Sequence, residues 1–135
     1  MKRLHFALGL FAVLAALGLH AQSTLLLANI PFDFQVGNSL MPAGEYSIDC
    51  SEHWLALRAS DGKHAAIALT TPVTRPKAPT TGLLEFHKYG DAYFFAGVWT
   101  PNSRDGGALP TTPREKELAS RIGPRQKAVV AVRGK

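Results

Sequence analysis

Few side chains in this sequence could carry chemistry. Beyond residues 1–21 the histidines are His53, His64 and His87, and a metal site would need two or three of them to converge with a carboxylate. Their spacing matches no ligand motif. His53 lies beside a turn, and His64 and His87 lie on strands expected from different hairpins. Surface or sheet histidines are the plainer reading, so neither a metal nor a cofactor is expected. Nucleophilic catalysis has no better footing, because Gly-x-Ser-x-Gly is absent and no Ser, His and Asp set is paired by local spacing. Asp33, Asp49, Glu85 and Asp91 could supply paired carboxylates for glycoside hydrolysis, but acidic residues alternating outward along strands ordinarily form a solvated face. Gly106-Gly107 lies in a polar stretch without a phosphate-cradling pattern and reads as a turn. A hydrolase or metal-dependent enzyme would need histidines and carboxylates from separate strands to meet in a cleft.

Two groups suit binding better. Near the C-terminus Arg114, Lys116, Arg121, Arg125, Lys127, Arg133 and Lys135 outnumber Glu115 and Glu117, a stripe that could meet nucleic acid, acidic glycans or anionic headgroups. A solvated helix face and tail explains it more simply, and export would remove nucleic acid as a partner. The aromatic residues Trp54, Tyr89, Tyr93, Phe94, Phe95 and Trp99 are the second group. Most should be core, since a domain of this size needs large side chains to fill it. Both faces of the run Tyr93 to Trp99 are apolar, however, so that strand either runs through the centre of the fold or lines a cavity. Phe86, Tyr93, Phe95 and Trp99 are therefore the candidate ligand-binding residues.

The elements that would position these residues are mostly strands. Leu26, Ala28, Ile30, Phe32, Phe34 and Val36 alternate with polar positions, the pattern of one strand from Leu26 to Val36, with Pro31 marking an edge or a bulge. Pro42-Ala43-Gly44 turns the chain into a second strand, Glu45 to Ser51, on which Tyr46, Ile48 and Cys50 share the inner face. Cys50 is the only cysteine, so it has no intramolecular disulfide partner, and burial is the expected solution for its thiol. Ser60-Asp61-Gly62 joins strands at Trp54 to Ala59 and Lys63 to Thr71, and Tyr89-Gly90-Asp91 joins Leu83 to Lys88 with Ala92 to Thr100. Pro72 to Thr81, with three prolines, and Pro101 to Pro110 read as loops. Thr112, Pro113 and Glu115 form a capping box opening a helix over residues 113–122 that Gly123-Pro124 closes. Its apolar stripe is only Leu118, Ala119 and Ile122, the face of a lid laid on a sheet, with Glu117 and Arg121 paired at i,i+4. A last strand runs from Lys127 to Arg133.

About seven strands with one short C-terminal helix predict a mostly β fold, a small antiparallel β-sandwich or partly open barrel. Residues 22–135 would form this single domain. Residues 1–21 read as a cleavable signal peptide: Met1-Lys2-Arg3 is a charged start, and Phe6 to Leu19 is an apolar run, short against the ~20 residues of a membrane helix. Small residues place cleavage after Ala21 or Ser23, and no transmembrane segment would remain. Loss of Lys2 and Arg3 lowers the formal charge from +5 to +3.

Asn29-Ile-Pro-Phe-Asp-Phe-Gln-Val-Gly-Asn38 and Met41-Pro-Ala-Gly-Glu-Tyr46 resemble the I-P-F-x-F-x-V-G-N and L-P-A-G-x-Y blocks of a family of short exported proteins abundant in acidobacteria, to which no activity is assigned. Phe86 to Phe94, Val98-Trp99 and the helix around Arg114 to Ala119 are similar to later blocks of that family, so the resemblance covers most of residues 22–135. Met41 stands where the pattern usually has leucine. The resemblance implies compartment and domain extent, and it carries over no catalytic residue. A non-enzymatic domain in the periplasm, at the cell surface or outside the cell is the resulting expectation. It would act by binding or as an envelope component. A small carrier of apolar ligands with an aromatic pocket is the alternative, and an enzyme with a non-local site the third.

Overall fold

The computed structural model describes residues 24–134, so the expected signal peptide and its cleavage sites lie outside the described residues. The chain runs β1 (Thr24–Ile30), β2 (Phe34–Val36), β3 (Ser39–Met41), β4 (Gly44–Cys50), β5 (Trp54–Ala59), β6 (Ala65–Leu69) and β7 (Thr71–Thr74). It continues through β8 (Gly82–Tyr89), β9 (Ala92–Trp99), β10 (Asp105–Ala108), α1 (Pro113–Ile122) and β11 (Gln126–Gly134). Strand order in the single sheet is β3-β2-β9-β8-β11-β1-β4-β5-β6, with β10 bonded to both β7 and β9.

The sheet curls into a nearly closed barrel. β6 and β7 are one bent strand interrupted at Thr70: β6 pairs with β5, β7 pairs with β10, and β10 returns to β9. Along the other half of β9 the neighbour is β2, parallel and joined at Gln35 opposite Phe94, which leaves a seam beside β6. Interior positions alternate with exterior ones along β1, β4, β5 and most of β8, as a closed sheet requires, whereas β9 is covered on both faces from Phe94 to Trp99. Leu26, Ile30, Ile48, Leu57, Leu84 and Phe86 are all at most 1% exposed in one continuous core.

The mostly β class with one short helix holds, but the described strands number eleven rather than about seven. The expected Leu26–Val36 strand is cut at Pro31, which has no N–H to give a ladder. The chain turns a corner there and leaves β4 for β9. The inward face survives the cut: Ile30, Phe34 and Val36 are buried and Phe32 packs on the same core. Asp33 Oδ1 accepts the Ala43 N–H at 2.8 Å, and the Tyr46 hydroxyl donates to the Pro42 carbonyl. The segments from Asn29 to Asn38 and from Met41 to Tyr46 thus form one corner that stoppers the barrel.

The two segments read as loops are corrected as well, since each holds a strand, β7 and β10, and these strands bond to each other. Gly106-Gly107 is therefore not a turn. A Cβ on Gly106 would stand 2.5 Å from Trp99 Cε3 and 2.6 Å from the Val98 carbonyl, and one on Gly107 would stand 3.2 Å from Thr70 Cβ. Bare backbone is what lets β10 lie close enough to close the ring.

The helix has its expected bounds, with the Thr112 side chain accepting the Glu115 N–H at 3.2 Å and Pro113 in the first turn. Its attachment differs from an apolar lid. Ile122 is 55% exposed, whereas Glu115 is 4% exposed, so the face turned to the barrel is centred on a carboxylate. The Glu115 carboxylate accordingly reaches the barrel wall, as described below.

Candidate functional site

Antiparallel strands bring the start of each strand beside the end of its neighbour, so one rim collects residues far apart in sequence. At the rim where β1 begins and β4 ends, a cavity of about 1120 Å³ opens. Thr24, Cys50, Trp54, Leu55, Val73, Thr74, Val98 and Asp105 line it, with Thr70, Thr100 and Glu52. Thr70 is only 9% exposed and sits at the bend where β6 becomes β7, its N–H bonded to the His53 carbonyl at 2.9 Å. The walls therefore mix apolar surface with threonine hydroxyls, the composition of a site that holds an apolar body and orients it through a few polar groups. A second hollow of about 550 Å³ lies where β1 diverges from β11, lined by Asn29, Glu45 and Ala131 among others.

The opposite end is filled. Phe32 stacks on Tyr93 with ring centroids 3.7 Å apart and meets Phe86 edge-on at 4.9 Å. Phe34 meets Tyr46 at 5.3 Å and Phe86 at 5.5 Å, and Phe86 meets Phe95 at 5.2 Å. Of the four aromatic residues named as ligand candidates, Phe86 and Phe95 belong to this stopper and Tyr93 flanks it. Trp99 lies elsewhere. A bulge between Glu85 and Phe86 puts Phe86 opposite Phe95 but Glu85 opposite Gly97, which shifts the parity of β9. Val98 consequently points inward, and Trp99 lies outside beside Leu83 and Gly106, under the Arg75 guanidinium at 4.2 Å. None of the four lines either cavity.

Cys50 faces inward opposite Leu55, on the face expected from alternation, but at the cavity rather than deep in the core. Burial, and secondarily the Asp49 carboxylate, push its thiol up to about 12 from an ordinary 9.0. A thiol that keeps its proton at neutral pH is a poor nucleophile.

One polar constellation does join separate elements, and local spacing could not reveal it. His87 Nδ1 lies 3.0 Å from Glu115 Oε2, and the Tyr89 hydroxyl donates to the same oxygen at 3.0 Å. A carboxylate only accepts, so this contact assigns the proton to Nδ1. Burial first, and then the bond to Glu115, raise the Tyr89 phenol above its usual range. This carboxylate–histidine pair resembles the orienting half of a catalytic triad, but it lines neither cavity and no serine or cysteine completes it among the hydrogen bonds described. Its work is to hold α1 against β8. His53 and His64 remain apart, His53 3.9 Å from Glu52 and His64 3.5 Å from Asp61, both solvent-exposed. Among the described residues no three His, Cys, Asp or Glu side chains converge on a metal-sized site, and no helix is long and apolar enough to cross a membrane.

Sequence reasoning missed the lining threonines because Thr24, Thr70 and Thr100 stand at strand ends and junctions that only the closed sheet brings together, and Thr74 lies in the proline-rich stretch. The available signal was the run Thr71 to Thr74, where only Val73 is partly buried and Pro72 interrupts the pattern. Glu115 was recognised as a cap, and nothing local pointed to His87 and Tyr89 as its partners. Comparison with protein-family models, curated proteins and solved structures finds no match for this chain.

Proposed function

We propose that the chain is an exported, non-enzymatic binding domain and that its site is the open mouth of the barrel. The observation that carries this reading is the asymmetry of the interior: about 1120 Å³ stands open at one end, while aromatic rings fill the other. Pockets in barrel mouths are a common place for small ligands, and a lining of Leu55, Val98 and Trp54 beside Thr70, Thr74 and Thr100 suits a molecule with an apolar body and a few hydrogen-bonding groups. The carrier alternative is thereby moved from the aromatic residues to the mouth. The charged start, the apolar run of residues 6–19 and the resemblance to exported proteins support a location outside the cytoplasm.

Both tryptophans lie at this end, Trp54 in the lining and Trp99 behind β10, so intrinsic fluorescence reports on the mouth. Titration with the neutral probe N-phenyl-1-naphthylamine should give a saturable change that Ser51→Phe, which fills the rim, removes. The absence of saturable binding by this and other amphipathic probes would overturn the reading. Turnover of a hydrolase substrate that vanishes with His87→Ala would replace it by an enzymatic one.

A further inference from the structure

The mouth is graded with depth. Leu55, Val98 and Thr70 are 1%, 5% and 9% exposed and form its floor, whereas Glu52 and Asp105 are exposed and stand at its rim. Thr70 is the polar member of that floor. Its hydroxyl bonds to no described residue, yet the enclosed orphaned atoms are Asp49 Oδ1 and Trp99 Nε1, so the Thr70 hydroxyl opens on the cavity and is left for whatever fills it.

The rim is one-sided in charge. Among the described residues no Lys, Arg or His lines the cavity, so Glu52 and Asp105 are its only formal charges. Neither has a Lys or Arg within ion-pair distance among those residues, and Glu52 has only the exposed His53 at 3.9 Å. Arg75 and Arg104 line no part of the cavity, since Arg75 lies over Trp99 on the outer wall and Arg104 Nε is bonded to the Arg75 carbonyl. The lining is also richer in acceptors than in donors. Carboxylates only accept, β10 is bonded on both edges, and the Thr70 N–H is taken by the His53 carbonyl. A molecule that matches such a lining brings N–H donors and a positive charge at one end and apolar surface at the other. Trp54, 38% exposed and part of the same lining, offers a ring face to the cation.

We infer that the ligand of the mouth is an amphipathic amine, its ammonium at the rim with Glu52 and Asp105 and its apolar body on Leu55 and Val98. This rests on the mouth being the binding site and adds the class of molecule that enters it. An amphipathic acid would set its head group against two like charges.

Isothermal titration of the protein with octylammonium, octan-1-ol and octanoate separates head group from body. Octylammonium should bind about fivefold more tightly than octanol, the size expected from two solvent-exposed ion pairs, and should lose this advantage as salt is raised. Octanoate should bind more weakly than octanol. The double variant Glu52→Gln, Asp105→Asn keeps the shape of the rim and removes its charge, so octylammonium should fall to the affinity of octanol. Unchanged affinity for octanol in that variant shows that the mouth is intact. An octylammonium advantage that survives the double substitution overturns the assignment of the head group to these carboxylates. Equal affinity of the unaltered protein for all three probes, or preference for octanoate, overturns the amine assignment and leaves the mouth as a binding site. Failure to bind any probe overturns both.

Discussion

The two ends of the barrel are built by different means. At the filled end, residues close in sequence make the structure: Phe32 and Phe34 follow the corner at Pro31, Asp33 ties that corner to Ala43, and Tyr46 returns to Pro42. At the open end, Thr24, Cys50, Thr70, Val98 and Asp105 come from five different strands or strand junctions and are brought together only because the sheet closes. A filled end supplies the stability that an open end gives up, since side chains facing empty space forgo packing contacts. Binding sites on small barrels are placed in the mouth for that reason, with the scaffold held elsewhere.

The sharpest way to break this contrast is to hollow out the stopper. Phe86→Ala removes a ring that is 0% exposed and meets Phe32, Phe34 and Phe95, and it should cost about 3–5 kcal/mol in urea unfolding. Ser51→Ala at the mouth should stay within about 0.5 kcal/mol of the unaltered protein. Comparable losses at both ends would mean that the interior is uniformly packed and the mouth is no cavity.

The second test concerns the helix, which lies on the outer wall and belongs to neither end. Glu115→Ala deletes the acceptor for His87 and Tyr89, and it should cost about 2 kcal/mol by the worth of hydrogen bonds to a charged group. Because Ile122 is exposed, little apolar contact remains to hold the helix, so amide hydrogens of residues 113–122 should lose protection while those of β8 keep theirs. Ligand binding at the mouth should be unchanged. Retained helix protection would show that Leu118 and Ala119 hold α1 without the clamp.

What was legible in the sequence follows the same division. Faces along β1, β2, β4 and β11 were readable because alternation is local, and Thr112-Pro113 with Gly123 marked the helix ends because capping is local. The mouth was not readable. It depends on the closure of β7 against β10, two four-residue strands carrying Pro72 and Gly106-Gly107, whose composition is that of loops. Trp99 was misplaced for a related reason: a bulge inverts the parity of a strand, and nothing in the residue types of Glu85-Phe86 announces one.

Closure itself is tested by Gly106→Ala. The added methyl would meet Trp99 Cε3 at 2.5 Å and the Val98 carbonyl at 2.6 Å, and a backbone atom does not yield as a flexible side chain would. A cost of about 1–3 kcal/mol is expected, together with weaker probe binding at the mouth. Gly37→Ala, at the turn beside the stopper, meets open space and loses only through its φ of +58°, about 1 kcal/mol, with binding retained. Equal binding by both variants would mean that β10 does not shape the site.

A small effect is expected at Cys50, the one thiol, which lines the open end with its side chain turned inward. Cys50→Ala should cost about 1 kcal/mol, since the site is half-buried and the methyl retains part of the contact. The more informative measurement is pH dependence. The thiol is held at about 12 in the folded protein against an ordinary 9.0. Above pH 9 the unfolded chain therefore releases a proton that the folded one keeps. The unfolded state then binds fewer protons, so stability falls as pH rises from 9 towards 12 and is unaffected by this group below that window. Tyr46 and Tyr89 are also raised, both chiefly by burial, and contribute a loss of the same sign, so the thiol is isolated by subtracting the Cys50→Ala curve from that of the unaltered protein. The difference should be flat from pH 7 to 9 and decline above it. Thiol reagents should label the native protein far more slowly than the denatured one. Native labelling at the denatured rate, or a disulfide-linked dimer on a non-reducing gel, would place Cys50 on the outer face and move β4 by one residue against β1 and β5.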